Sequence, residues 1–295
     1  MKQPQPMLVS IILVNYNGAE VLPDCINSIE KFMPISDCEI IIVDNASNDG
    51  SPELVAHNPH VNLIKLSENL GFGAGNNAGA RIATGEFLLL LNTDTIITSN
   101  ILPHLINLID TRPEVGIIGP KLLNADGSFQ ISISPAIGIK GESQARQLND
   151  DYEKNHNIRA IEQKFQKTQE VDIVVGAAFF IRADLFHTLG GFDEKFFMYF
   201  EESDLCQRAQ NIGYKILYTP DVSLIHLKGY SIQKAANAMA VEYRRSQIYY
   251  YQKHRPLWEQ LVLRLYLLYK FSREFVTSAN PNCLKILLLA LTKIY

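Results

Sequence analysis

The chain has 295 residues, 47% hydrophobic and 20% charged, with 17 Gly and 13 Pro. That is enough to bury a large α/β core, and it excludes a disordered, collagenous or multi-spanning membrane sequence. The net charge of −4 averages two unlike parts: residues 1–227 carry 16 Lys+Arg against 28 Asp+Glu (net −12), and residues 228–295 carry 11 against 3 (net +8).

Taken in chain order, apolar runs at 8–14, 39–43, 61–66, 87–91 and 115–119 predict strands. Between them, 19–32 and 99–110 place apolar residues at helical spacing (Val21, Leu22, Cys25, Ile26, Ile29; Ile101, Leu102, Leu105, Ile106, Ile109). Strands alternating with helices predict βαβ units and a mostly parallel sheet with helices on both faces. Over 135–168 apolar residues thin out, which predicts a long mobile connection with one weak helix. Order resumes at 171–181, an apolar run with Gly176 in its middle, where a backbone or ligand can approach closely. A short helix at 183–189, the Gly190-Gly191 turn, a helix over 201–211 and a strand at 214–218 follow. The remainder reads as helices from about 235 to 254 and from 257, broken at Pro256.

Four segments carry chemistry. In IIVDNASNDGS (41–51), Asp44 ends a parallel strand at the crevice where open α/β sheets bind ligands, placed to accept from a nucleobase or ribose. The same segment reads as an Asp49-Gly50 turn with Ser51 as a helix N-cap. GFGAGNNAG (71–79) fails as a dinucleotide fingerprint because Asn76 replaces the third glycine and the segment follows the third strand. Its small residues let a diphosphate approach the backbone or a helix pack tightly. FLLLLNTDT (87–95) is a buried strand ending in Asn92, Thr93 and Asp94, and Asp94 suits a hard cation such as Mg²⁺ or Mn²⁺. Finally, Glu201 and Glu202 open a helix with Asp204 one turn on. Crowded carboxylates raise a pKa and suit general base work, while Arg208 pairs with Asp204 at i,i+4. An acidic first turn complementing the helix dipole is the plain alternative. His226, at the end of a strand, is a candidate metal ligand.

Together, VSIILVNYNG, IIVDNASNDGS, LGFGAGNNAGARIATGEFLLLLNTDT, the segment 176–214 and His226 resemble a family 2 glycosyltransferase of the GT-A fold, over about residues 7–255. The nearest branch is that of bacterial rhamnosyltransferase-like enzymes of cell-surface polysaccharide synthesis. The resemblance implies an inverting, metal-dependent transfer from a nucleotide-diphosphate sugar to a glycan or polyprenyl-diphosphate-linked acceptor, with no nucleic acid involved. It implies that Asn15, Tyr16 and Asp44 contact the base and ribose, with Asn45, Gly73, Asn76, Asn92 and Thr93 completing the donor site. Asp94 and His226 would hold a divalent cation, Mg²⁺ or Mn²⁺, although Asn92 stands where the Asp-x-Asp motif has its first acid. Glu202, or Glu201, would be the acceptor base. A nucleotide-sugar pyrophosphorylase is the first alternative, but Asn15-Tyr16-Asn17-Gly18 lacks its glycine-rich basic loop. A non-catalytic sugar-binding protein is the second, kept open by Asn92 and by glutamate at both base positions.

The expected organisation is a catalytic domain over 1–234 and a helical extension over 235–295. Within the former, nucleotide binding occupies about 7–120, the mobile connection about 135–168, and the acceptor part about 170–234. No stretch reaches the roughly 18 apolar residues of a spanning helix. Lys2 and the run Leu8–Val14 make no secretory signal, and four cysteines without motif spacing fit a reduced, cytoplasmic setting. The basic tail is expected to lie on the inner face of the cytoplasmic membrane. A homodimer interface, or packing on the catalytic domain, is the alternative for the same helices.

Overall fold

The computed structural model describes residues 9–34, 36–154, 158–227 and 236–293. The expected domain boundary at 234/235 lies outside them. The chain runs β1 (Val9–Asn15), α1 (Leu22–Phe32), β2 (Cys38–Asp44), α2 (Ser51–Val55), β3 (Val61–Lys65), α3 (Phe72–Ala80), β4 (Phe87–Asn92), β5 (Thr95–Ile97), α4 (Leu102–Asp110) and β6 (Val115–Leu123). It continues through β7 (Phe129–Gln130), β8 (Ile133–Ser134), α5 (Ile139–Glu153), α6 (Ile158–Lys164), β9 (Gln169–Glu170), β10 (Ile173–Val174), β11 (Ala178–Arg182), α7 (Ala183–Thr188), α8 (Glu201–Asn211) and β12 (Lys215–His226). Three helices follow: α9 (Ala236–His254), α10 (Leu257–Ser278) and α11 (Pro281–Leu291).

The main sheet has the order β3-β2-β1-β4-β11-β6-β12-β5. Six of these strands run parallel and β11 and β5 oppose them, as the βαβ pattern predicts. The inner strands are apolar throughout because both faces are covered. Ile12, Leu88 and Leu90 point into one core with Phe179 and α8 to α11, and Ile11, Leu13, Leu89 and Leu91 into the other with α1 and α4. The register aligns Asn15 with Asp44 and Val14 with Asn92, so three polar strand ends meet at one edge.

The apolar run 171–181 divides into β10 and β11 around Val175–Ala177, and β10 leaves the main sheet to pair with β8. Three local expectations change. The strand expected over 214–218 extends to His226, because a register shift between Thr219 and Ser223 accommodates Pro220 within its pairing to β6. The connection 135–168 contains two helices rather than one weak one, and their sparse apolar residues are used on a small separate core. Phe129, Ile161, Phe165 and Tyr218 form it, with Leu148 and Tyr152 packed alongside. Ser51 is the first residue of α2 rather than its N-cap; its amide and hydroxyl both bond Asp49 Oδ1, at 3.0 and 2.6 Å. Among the described residues no helix is long and apolar enough to cross a membrane.

Candidate active site

The parallel strand ends build the first half of the site. Asn15, fully buried at the end of β1, donates through Nδ2 to Asp44 Oδ1 (2.8 Å), Ser51 Oγ (2.7 Å) and Ser47 Oγ (3.1 Å). A carboxylate at that position settles the amide orientation, so Asn15 Oδ1 faces the other way, buried and with no hydrogen-bond partner. A Cβ on Gly18 would stand 2.5 Å from that oxygen. The unpaired acceptor and the glycine beside it leave room for a ligand N–H, since an orphaned buried acceptor is costly unless something binds it. Asp44 accepts a second bond from the Ser47 amide at 3.1 Å, so it braces Asn15 as well as lining the crevice. Tyr16 is 45% exposed beside them.

Other predicted donor residues serve the frame. Asn45 uses both amide ends on the backbone of the following loop, donating to Gly71 O and accepting from the Leu70 amide. Asn76 donates to Phe72 O within α3. Gly71, at φ 90°, would carry a Cβ only 2.0 Å from Phe197 O, and one on Gly73 would touch Phe192. The glycines therefore let α3 pack against the 192–197 segment. Asn77 secures the same contact by donating to Phe192 O and accepting from the Phe192 amide.

The second half depends on pairings far apart in the chain. β5 pairs with the end of β12, setting His226 opposite Thr95, and His226 Nε2 comes 3.2 Å from Asp94 Oδ1. Gln130, buried on β7, donates through Nε2 to Asn124 Oδ1 (2.8 Å) and to the His226 carbonyl (3.2 Å). Its Oε1 is left to accept from His226 Nδ1–H at 2.7 Å. In the neutral ring this places the lone pair on Nε2, toward Asp94, as a metal-binding histidine requires. A carboxylate oxygen and an imidazole lone pair turned toward each other form a donor set that would suit a divalent cation. Among the described residues no group of three His, Cys, Asp or Glu is arranged to hold a metal. With Asn92 in place of a second acid, the remaining ligands would come from phosphate and water.

Across Gly176 lies the carboxylate pair. Tyr199 and Phe200 both adopt positive φ (69° and 70°) immediately before α8, a backbone strain that sets where the helix starts. Glu201 and Glu202 each keep a buried oxygen, Oε2, without a partner. Burial raises Glu201 well above the ordinary 4.5, and the charge of Glu202 raises it further. Burial raises Glu202 as well. The pair therefore holds a proton more tightly than free carboxyls do. A Cβ on Gly176 would lie 3.5 Å from the Phe72 ring and 3.9 Å from Glu202 Cβ, ordinary contacts with side chains rather than a close approach of backbone. Its neighbour Ala177 accepts from the Asn92 amide at 3.0 Å, so the pair borders the Asn92-Thr93-Asp94 strand end.

Asp204 belongs to another network. It accepts from Arg208 (2.7 Å), His254 (2.6 Å) and Lys253 (2.7 Å). Burial alone would push it up, but these partners hold it below the ordinary range. It thus ties α8 to α9 instead of crowding the two glutamates. Sequence patterning misses Gln130, Ser47, Gly18 and Asn77: Gln130, Ser47 and Asn77 act through partners distant in the chain, and Gly18 matters only through the space it leaves beside Asn15.

Residues 10–190 match the family described as Glycosyl transferase family 2. An N-acetylglucosaminyl-diphospho-decaprenol L-rhamnosyltransferase of Mycobacterium tuberculosis is 26% identical over 234 residues, 74% of this chain and 76% of that one. A low-salt glycan biosynthesis hexosyltransferase of Haloferax volcanii is 28% identical over 239 residues, 76% of this chain and 69% of that one. Two solved structures share the GT-A fold. One is a mannosyltransferase of Pyrobaculum calidifontis with GDP-Man and Mn²⁺ (TM-score 0.57, 20% identity, 97% of this chain and 69% of that one). The other is S. aureus TarS with UDP-GlcNAc (TM-score 0.60, 17% identity, 97% and 80%).

Proposed function

The chain belongs to glycosyl transferase family 2, and with that as premise we propose that it is an inverting, divalent-cation-dependent glycosyltransferase of cell-surface glycan assembly. The carrying observation is the buried pair Glu201 and Glu202, each with an unpartnered oxygen, bordering the strand end that bears Asp94. The donor is a nucleoside diphosphate sugar, with rhamnose the first to test, and the acceptor is a hydroxyl on a polyprenyl-diphosphate-linked saccharide. Support for both is the M. tuberculosis relative, whose name carries that sugar and that carrier.

Asn15 Oδ1 accepts from the donor base, Tyr16 offers its exposed ring to it, and Asp44 holds Asn15 in position while facing the ribose. Thr93 and Asn92 border the diphosphate. Asp94 and His226 would hold Mg²⁺ or Mn²⁺, which when bound neutralises charge growing on the departing diphosphate. Glu202 takes the proton from the acceptor hydroxyl. That oxygen forms its bond to the anomeric carbon as the carbon–diphosphate bond breaks on the opposite face, and the bonding pair leaves with the nucleoside diphosphate. One displacement inverts the anomeric centre.

α5 is anchored to the C-terminal helices: Gln247 of α9 donates to Glu142 at 2.7 Å, and Glu259 of α10 accepts from the Ile139 amide. Nucleoside diphosphate release from sugar donors, with Asp94→Ala, Glu201→Gln and Glu202→Gln, tests the site. Asp94→Ala and Glu202→Gln are expected to lose at least about 100-fold. Activity unchanged in all three would overturn it.

A further inference from the structure

The C-terminal helices carry a surface that transfer chemistry does not use. α10 buries Glu259, Leu263, Leu267 and Phe271. Its opposite side should be polar if it faced water alone. Instead it presents Leu257, Trp258, Leu261, Leu265 and Tyr269, each at least 60% exposed. α11 adds Leu284, Leu288 and Leu291 at i, i+4 and i+7, all at least half exposed. Between the two helices lies a groove of about 500 Å³ whose lining mixes Leu261, Leu265, Leu268 and Leu291 with polar side chains, Arg264 and Lys293 among them.

Charge identifies the occupant. Between 257 and 293 the acids are Glu259 and Glu274. Glu259 is buried and bonded to Arg255, and Glu274 is half-buried. Arg273 and Lys285 are exposed on this part of the molecule, with Lys270 half-buried beside them. Apolar side chains flanked by basic ones suit hydrocarbon under anionic headgroups, where long basic side chains reach outward. A second copy would set the same basic residues against themselves across a two-fold axis.

We propose that the outward face of α10 and α11 is a membrane-docking surface for an anionic bilayer. It holds the catalytic body where its lipid-linked acceptor resides, a benefit that rests on the function proposed above. The helical extension is also tied to the catalytic body. Lys253 and His254, at the end of α9, both bond Asp204 on α8, the helix that carries Glu201 and Glu202.

The test is flotation of the full chain with phosphatidylcholine vesicles, with and without phosphatidylglycerol. The wild type is expected to float with the anionic vesicles. Leu261→Gln/Leu265→Gln, altering two exposed side chains, is expected to cut partitioning about 30-fold, from the apolar surface withdrawn. Arg273→Glu/Lys285→Glu is expected to lose binding to anionic vesicles at least tenfold while leaving the apolar face intact. No flotation of the wild type, or equal flotation of all three proteins, would overturn the proposal. So would a dimer that Leu261→Gln/Leu265→Gln dissociates without altering flotation, which would assign the face to a second copy. Donor hydrolysis without vesicles separates the two readings. It is expected unchanged in Leu261→Gln/Leu265→Gln, and its absence from the wild type would overturn the proposed function while the flotation result stood.

Discussion

Replacing Gln130 by Leu tests the cation site through a residue that touches neither sugar nor phosphate. Gln130 fixes His226 through the 2.7 Å bond to Nδ1 and holds the same residue's carbonyl through Nε2. Leucine removes both and leaves Asn124 Oδ1 without that donor. The imidazole is then free to rotate or to change tautomer, and losing such an outer partner typically costs 10- to 100-fold in metal affinity, about 1.4–2.7 kcal/mol. Because the position is buried, the lost bonds also destabilise by about 1–3 kcal/mol, lowering Tm by roughly 2–10 °C. Mn²⁺ titration followed by electron paramagnetic resonance of the free ion, at a temperature where both proteins are folded, reads affinity without turnover. Gln130→Glu retains an acceptor for Nδ1–H and is expected to recover most of the affinity. A folded Gln130→Leu that binds Mn²⁺ as the wild type does would refute this account of His226.

Other consequences follow from the carboxylates and the strand ends. Burial sets Glu202 above 4.5, so transfer should rise with pH through a value above the usual glutamate range; a pH–rate profile flat from pH 5 to 8 would contradict it. The raised values of Glu201 and Glu202 mean that the native state binds more protons than the unfolded one above about pH 4.5. Their contribution to stability is thus complete below that pH and falls as pH rises through the raised values. Glu201→Gln should therefore melt higher at pH 8, by about 2–4 °C for roughly 1 kcal/mol, with no gain at pH 4. Gly18→Ala, whose Cβ would meet Asn15 Oδ1 at 2.5 Å, should weaken nucleotide binding at least about tenfold by calorimetry while the melting point changes little. Asp204→Ala would leave Arg208, Lys253 and His254 around an emptied buried position. The expected loss is about 3–5 kcal/mol, read by urea denaturation; a change under 1 kcal/mol would show that the network does not hold α8 to α9.

Much of this molecule is legible without its structure, for an identifiable reason. The inner parallel strands are covered on both faces, so they read as unbroken apolar runs, and their abrupt ends at Asn15, Asp44 and Asn92 mark the crevice by local pattern alone. The pairs at 201–202 and 204–208 are equally visible, being neighbours on one helix. What the sequence does not determine is whatever depends on register between distant strands. His226 reaches Asp94 because β12 continues past Pro220 to pair with β5, and Gln130 reaches His226 across 96 residues. Composition places α5 and α6 in a mobile connection, since few apolar residues there mark their small core. Only the tertiary structure separates Asp204, neutralised by α9, from Glu201 and Glu202, left buried with unpartnered oxygens. Charge type is written in the sequence, but a carboxyl's proton affinity follows from the groups packed around it.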